Sequence, residues 1–225
     1  MTESRTIAIL GGTGDQGLGL ALRFARAGED VVIGSRKLDR ALEAAENVRG
    51  QIDGAKVKGL ENADAATGAS IVILSVPFEH TAGTVKAIRE VLEPGQIVVS
   101  MGVPLATAVG DAASRMVGVW QGSCAELVAS LLPQGVHTVS AFQNVSAHRL
   151  QTLAESVECD VVVSGAKAPR QQVMELCTLV PGLQAVDGGP LANARIVESM
   201  TALLIGMNIR YKVSEGVGIR FTGLP

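Results

Sequence analysis

One stretch narrows the possible folds more than any other: the run from Ile7 to Arg40, IAILGGTGDQGLGLALRFARAGEDVVIGSRKLDR. Its first four residues are continuously apolar, the pattern of a strand buried on both faces of a parallel sheet. Gly12-Thr13-Gly14-Asp15-Gln16-Gly17 follows, and this G-x-G-x-x-G spacing leads into a helical periodicity over residues 17–27. A second apolar strand, Val31-Val32-Ile33, ends in Gly34-Ser35-Arg36. In a chain with 26 glycines the spacing alone carries little weight. Set between a strand and a helix, with a second strand on schedule, it predicts a dinucleotide site. Gly12 then serves the tight turn, Gly14 lets the backbone approach a pyrophosphate, and Gly17 lets helix and strand pack closely. The helix start adds unpaired N–H groups and a partial positive charge.

The end of the second strand selects among dinucleotides. An acid there would bond a ribose 2′-hydroxyl, but the chain has Ser35-Arg36 and no acid before Asp39. A hydroxyl and a guanidinium suit a 2′-phosphate, which Arg grips with parallel charge-assisted bonds. Arg40, one helical turn beyond Arg36, reaches toward the same place, with Lys37 in reserve. The expected dinucleotide is NADP(H).

The rest of the chain repeats the alternation of strand and helix. Helices are expected over 38–48, from 62, and over 79–92, with strands at 55–58, 71–76 and 97–100. This order predicts an α/β fold built on a doubly wound parallel sheet, with its ligand beyond the carboxyl ends of the strands. Val76-Pro77-Phe78 and Met101-Gly102-Val103-Pro104 sit at two such ends and are candidates for lining a nicotinamide. After a helix over 123–131, residues 136–142 read as one more strand that closes the sheet, with 143–147 a polar loop facing the same crevice. Short strands at 160–164 and 184–187 flank a helix over 168–179. A long helix over 191–213 is apolar on most faces and is expected to be buried. Two lobes result, residues 1–134 and a small α/β lobe of residues 135–225.

A net charge of −3 and no basic run argue against a nucleic-acid surface. No apolar stretch reaches the roughly 18–20 residues that span a bilayer, and MTESRT leads straight into a strand, so no leader is expected. Three widely spaced cysteines suit reduced thiols in the cytoplasm better than a disulfide frame or a zinc site.

No acid–base group is evident. There is no Tyr-x-x-x-Lys pair, since Tyr211 is the only tyrosine, and no G-x-S-x-G elbow or histidine cluster. His80, in the first turn of a helix beside the expected site, either touches the cofactor or is a surface residue. Cys124 reads as packing, and Glu198, inside the long helix, as paired with Arg195 or a backbone group. A reductase without such groups can work if its second substrate is itself a hydride carrier, because transfer between stacked rings needs chiefly proximity and alignment.

GGTGDQGLGLALRFARAG with VVIGSRKLDRA, continuing through Val76-Pro77-Phe78-Glu79-His80, Val103-Pro104, Val139-Ser140-Ala141, DGGPLANARIVESMTALL and Gly216-Val217-Gly218-Ile219, resembles the NADPH-dependent coenzyme F420 reductases (F420H2:NADP oxidoreductases) of archaea and some actinobacteria. The likeness spans essentially the whole chain, and its DGGPL-NAR-VES-T block is the most specific part. The resemblance implies a Rossmann-like domain with the deazaflavin face to face with nicotinamide. By matching positions, Thr13, Gly14, Asp15, Gln16, Ser35, Arg36 and Arg40 would hold NADP(H), with Val76, Val103 and Ala147 near the nicotinamide. Gln143, Val145, Ser199, Thr201 and Val217 would border the deazaflavin. Some members carry His where this chain has Gln143, which puts a proton-handling role there in doubt. Other readings are an NADPH-dependent flavin or imine reductase and an NADP-sensing module without turnover. The length of the apolar C-terminal helix points to a homodimer interface.

Overall fold

The computed structural model describes residues 5–224; Met1–Ser4, expected to lead into the first strand, lie outside them. Strand β1 (Thr6–Leu10) is followed by helix α1 (Asp15–Arg26), strand β2 (Asp30–Ser35), helix α2 (Leu38–Gln51), strand β3 (Val57–Glu61) and helix α3 (Asn62–Ala66). Strand β4 (Ile71–Leu74), helix α4 (Phe78–Ile88), strand β5 (Ile97–Ser100), helix α5 (Cys124–Leu131) and strand β6 (His137–Ser140) continue the alternation. Helix α6 (Ala147–Gln151), strand β7 (Cys159–Gly165), helix α7 (Lys167–Cys177), strand β8 (Leu183–Asp187) and helix α8 (Ala194–Tyr211) complete it. The sheet order is β3-β2-β1-β4-β5-β6-β7-β8, with every neighbouring pair parallel except β6 and β7. The chain reverses direction across the sheet between β3 and β4, on either side of β1, and the crevice at that switch lies over the ends of β1, β2 and β4.

The strands are short and continuously buried. Ile71 to Leu74 are at most 1 % exposed, flanked by Ile7 and Ile9 of β1 and by Val98 and Val99 of β5. Two apolar layers form, one on each face of the sheet: Leu20, Phe24, Val48 and Val163 belong to one, Ala65, Val85, Ile88 and Val128 to the other.

Three expectations change. β6 does not close the sheet: β7 and β8 extend it past the expected boundary at residue 134, joined through the antiparallel pairs Val139–Gly165 and Ser140–Ser164. The long helix is shorter than expected, with a single 3-10 turn at Leu191–Asn193 and an end at Lys212, whose φ of 56° is left-handed. Nor is it buried all round. Ile196, Leu203, Ile209 and Tyr211 are 58–70 % exposed, while Val197, Glu198, Ala202 and Leu204 face the protein. A helix that is apolar on most faces has more apolar surface than the elements it packs on, α5 among them, can cover.

Candidate functional site

The turn after β1 is built by a glycine outside the G-x-G-x-x-G spacing. Gly11 takes the left-handed conformation (φ 77°), and a Cβ there would collide with the Ser75 carbonyl and lie 2.7 Å from Val76 Cγ1. Gly12 lies in the same turn, its N–H donating to the Ile9 carbonyl at 3.2 Å, and it is tightly packed there: its Cβ would lie 2.8 Å from that oxygen. Gly17 sits 2.7 Å, by the same measure, from Gly12 Cα, so helix and turn touch backbone to backbone as expected. Gly14 differs from both. Nothing but the Gly11 carbonyl comes within 4 Å of its Cβ position, and it is the N-cap of α1 with no side chain capping the helix. A bare backbone at the start of a 12-residue helix presents N–H groups to an anion.

Beside it lies a hollow of about 400 Å³, lined by Thr13, Gly14, Ser35, Arg36, Arg40, Val76, Pro77 and His80, all expected. Lys37, Asn62, Ser75 and Thr84 join them. Ser35 ends β2, nearly buried, and its hydroxyl accepts from Lys37 N at 3.3 Å. Arg36, Lys37 and Arg40 are exposed, and none is ion-paired among the described residues. Three cations without carboxylates next to a helix start suit a phosphate, and their place at the end of β2 is where a 2′-phosphate sits in this kind of fold. His80 borders this hollow from the first turn of α4.

Past Gly14, Ser75, Val76 and Pro77 the hollow continues into a second of about 530 Å³. Its floor is Met101, Gly102 and Val103 after β5, and its far wall is Gln143, Thr201 and Ile205. Gly102 leaves room for Cys124 beneath it, where a Cβ would lie 2.5 Å from the sulfur. That thiol is fully buried and pushed up to about 11 by desolvation and by Glu198, which fits a packing role. The titratable members of this hollow are Asp15 and Glu79, both exposed in first turns of helices. A third hollow of about 330 Å³ shares Gln16, Gln143, Thr201 and Ile205 with the second and adds Val145, Ala147 and Val217. Ala147, expected beside the nicotinamide, therefore lies one compartment further along, because it opens α6 against α1.

The segment after β6 is held by unusual backbone geometry. Phe142 is fully buried with φ of 68°, a conformation that a bulky residue adopts only when its surroundings hold it there. Its ring meets Phe24 edge to face at 6.3 Å, and its carbonyl accepts from Gln16 Nε2 at 3.0 Å. Gln16 Nε2 also reaches the Val145 carbonyl at 3.1 Å. The turn aims Gln143 inward, where Nε2 donates to the Ser100 carbonyl and to Ser140 Oγ, leaving the buried Oε1 without a partner. Thr201 Oγ donates to the Gln143 carbonyl at 3.1 Å. Ser199 does not join this wall. Two residues from Thr201, it points to the other side of α8, exposed, its hydroxyl donating to the Arg195 carbonyl. Glu198 takes the backbone alternative, accepting from Cys124 N and Ala125 N. Ser75, Asn62 and Ile205 were not singled out from the sequence, whereas Met101 was, as a candidate for lining the nicotinamide. Ile205 could have been, since it follows Thr201 by one helical turn on the same face.

A parallel α/β sheet with an anion-binding helix start, unpaired cations at the end of β2 and an adjoining cleft at the switch point defines a dinucleotide-binding protein of the Rossmann type. Residues 6–104 match the family described as NADP oxidoreductase coenzyme F420-dependent. The F420-dependent NADP reductase of Methanocaldococcus jannaschii is 48 % identical over 97 % of this chain and 98 % of its own. That of Methanothermobacter marburgensis is 42 % identical over 97 % and 99 %. A crystal structure of a protein from Arthrobacter sp. FB24 superposes with a TM-score of 0.77 over 96 % of this chain and 99 % of that one, at 23 % identity, and shares the fold. The chain belongs to the F420-dependent NADP reductase family.

Proposed function

We propose that the chain is an oxidoreductase that passes hydride reversibly between NADP(H) and coenzyme F420. The observation that carries this reading is the joining of two unlike compartments through Gly14. One is lined by Arg36, Lys37 and Arg40; the other has an apolar floor and no buried acid or base among the described residues lining it. The first fits a phosphorylated dinucleotide and the second a pair of flat rings. When bound, nicotinamide exchanges hydride at C4 and the deazaflavin at C5, so the chemistry is theirs. The residues of the chain then bind and align. Ser35, Arg36 and Arg40 hold the 2′-phosphate, the backbone at Gly14 faces the pyrophosphate, and Val76, Pro77 and Val103 support the nicotinamide. Gln143 and Thr201 border the second ring, and Val145 and Val217 lie beyond it.

The test is direct. Protein mixed with NADPH and oxidised F420 should bleach the deazaflavin's visible absorption. Bleaching of FMN or FAD alone would point to a flavin reductase, and NADPH binding without any turnover to a sensor. We further propose a homodimer, supported by the exposed apolar side of α8. A cytoplasmic site of action is supported by three buried, unbridged cysteines, which suit a reducing compartment. No helix among the described residues is long and apolar enough to cross a membrane.

A further inference from the structure

Glu198 is the one carboxylate in α8 that faces inward, and it is completely buried. Its two oxygens are both occupied: Oε2 accepts from Cys124 N at 2.9 Å and Oε1 from Ala125 N at 3.1 Å. These are the first two N–H groups of α5. The third, of Glu126, is taken by Ser123 Oγ at 3.0 Å, so the start of α5 is satisfied by one side chain of its own and one from α8. Neither end of this link is remote from the cleft. Cys124 supports Gly102 in the floor, and Thr201 and Ile205 in the wall stand one and two turns beyond Glu198 on the same helix. No residue of α8 lines the hollow around Arg36.

Resting on the proposed exchange with F420, we infer that Glu198 is a positioning residue for the second coenzyme. Its ionised carboxylate clamps α8 to the start of α5 and so fixes Thr201 and Ile205 against Gly102, without touching either coenzyme. A carboxylate accepts from both N–H groups at once, whereas a protonated or amide side chain sets a donor against one of them. Burial holds this carboxyl up to about 7, offset by the two N–H bonds and reinforced by Glu126. The other titratable groups around it are few. Cys124 from α5 has its own thiol raised, Arg195 on α8 is exposed, and the segment facing Glu198 across the outer hollow brings only Met116, Val117, Gly118, Val119 and Gly122. The clamp is therefore half closed near neutrality and opens below it.

The experiment measures dissociation constants for NADPH and for oxidised F420 separately, from pH 5.5 to 8.5, on the wild type and on Glu198→Gln. The variant should bind NADPH unchanged and F420 about ten-fold more weakly at pH 8, one lost charged bond being worth about that. The gap should close as the wild type falls toward the variant below about pH 7. Titration of the coenzyme itself is common to both proteins and cancels in the comparison. Equal F420 affinity for the two proteins at every pH would overturn the role of Glu198 alone. A wild type that binds no F420 at any pH would instead remove the assigned exchange, and this inference with it. Should the variant not fold, the wild type decides: a carboxyl ¹³C midpoint that coincides with the loss of F420 affinity would support the clamp, and an F420 affinity unchanged through that midpoint would refute it.

Discussion

At the scale of single residues, the dinucleotide half of the site rests on a few charges. Arg36 is exposed, without a carboxylate partner, and borders the hollow beside the bare helix start. Charge-assisted bonds from a guanidinium are worth about 1.5–3 kcal/mol each. Arg36→Ala should therefore raise the dissociation constant for NADP(H) by about 10–100-fold and change that for NAD(H) little, a contrast that titration calorimetry with both dinucleotides reads directly. An equal loss for both would place the residue away from the 2′-phosphate. This group was legible because it follows a strand at a fixed place in a fold that the glycine spacing announces. What was not legible is how roles divide among adjacent glycines. Gly11 and Gly12 are interchangeable as letters, and only the approach of Ser75 to one and of Ile9 to the other separates them. Phe142 is less legible still, because a left-handed aromatic residue violates local preference and is held there by Phe24 and Gln16, more than a hundred positions away.

At the scale of elements, α8 departs most from its reading. A stretch apolar on most faces predicts burial, yet Ile196, Ser199 and Leu203 fall at i, i+3 and i+7 along one outward side. The same periodicity turns Val197, Glu198 and Ala202 inward and Thr201 toward the cleft. Periodicity alone cannot say which partner covers an apolar face, so a helix wanted on two sides looks like a helix buried on all. If a second copy covers the outward side, Leu203→Glu places a charge at that contact and should shift the protein from dimer to monomer in sedimentation velocity. Near-UV circular dichroism should remain unchanged, since residue 203 touches none of the core. A wild type that sediments as a monomer at micromolar concentration would refute the dimer.

At the scale of the molecule, the two halves are stitched together where the sequence suggested a seam. β7 and β8 extend the sheet, and Arg23 of α1, itself buried, donates to the carbonyls of Arg149, Leu150 and Thr152 around the end of α6. The contacts of Arg23 join residues over a hundred positions apart and leave no local signature. Glu198 belongs to the same stitching, and it sets site against stability. Its carboxyl has an ordinary value of 4.5 in an unfolded chain and about 7 in the folded one. Below about pH 4.5 both states keep the proton and this group adds no pH dependence. Between there and about 7 the folded chain holds a proton that the unfolded chain has released, so stability falls as pH rises. Above about 7 the full penalty is present, on the order of 3 kcal/mol at about 1.4 kcal/mol per unit. Folding thus favours the protonated carboxyl, while the inferred clamp requires the ionised one, a conflict of the kind that functional sites accumulate. Urea unfolding of the wild type and Glu198→Gln at pH 5 and pH 8 measures it. The wild type should lose roughly 2.5 kcal/mol more than the variant between the two, and an equal change in both would mean that the buried carboxyl is ionised throughout.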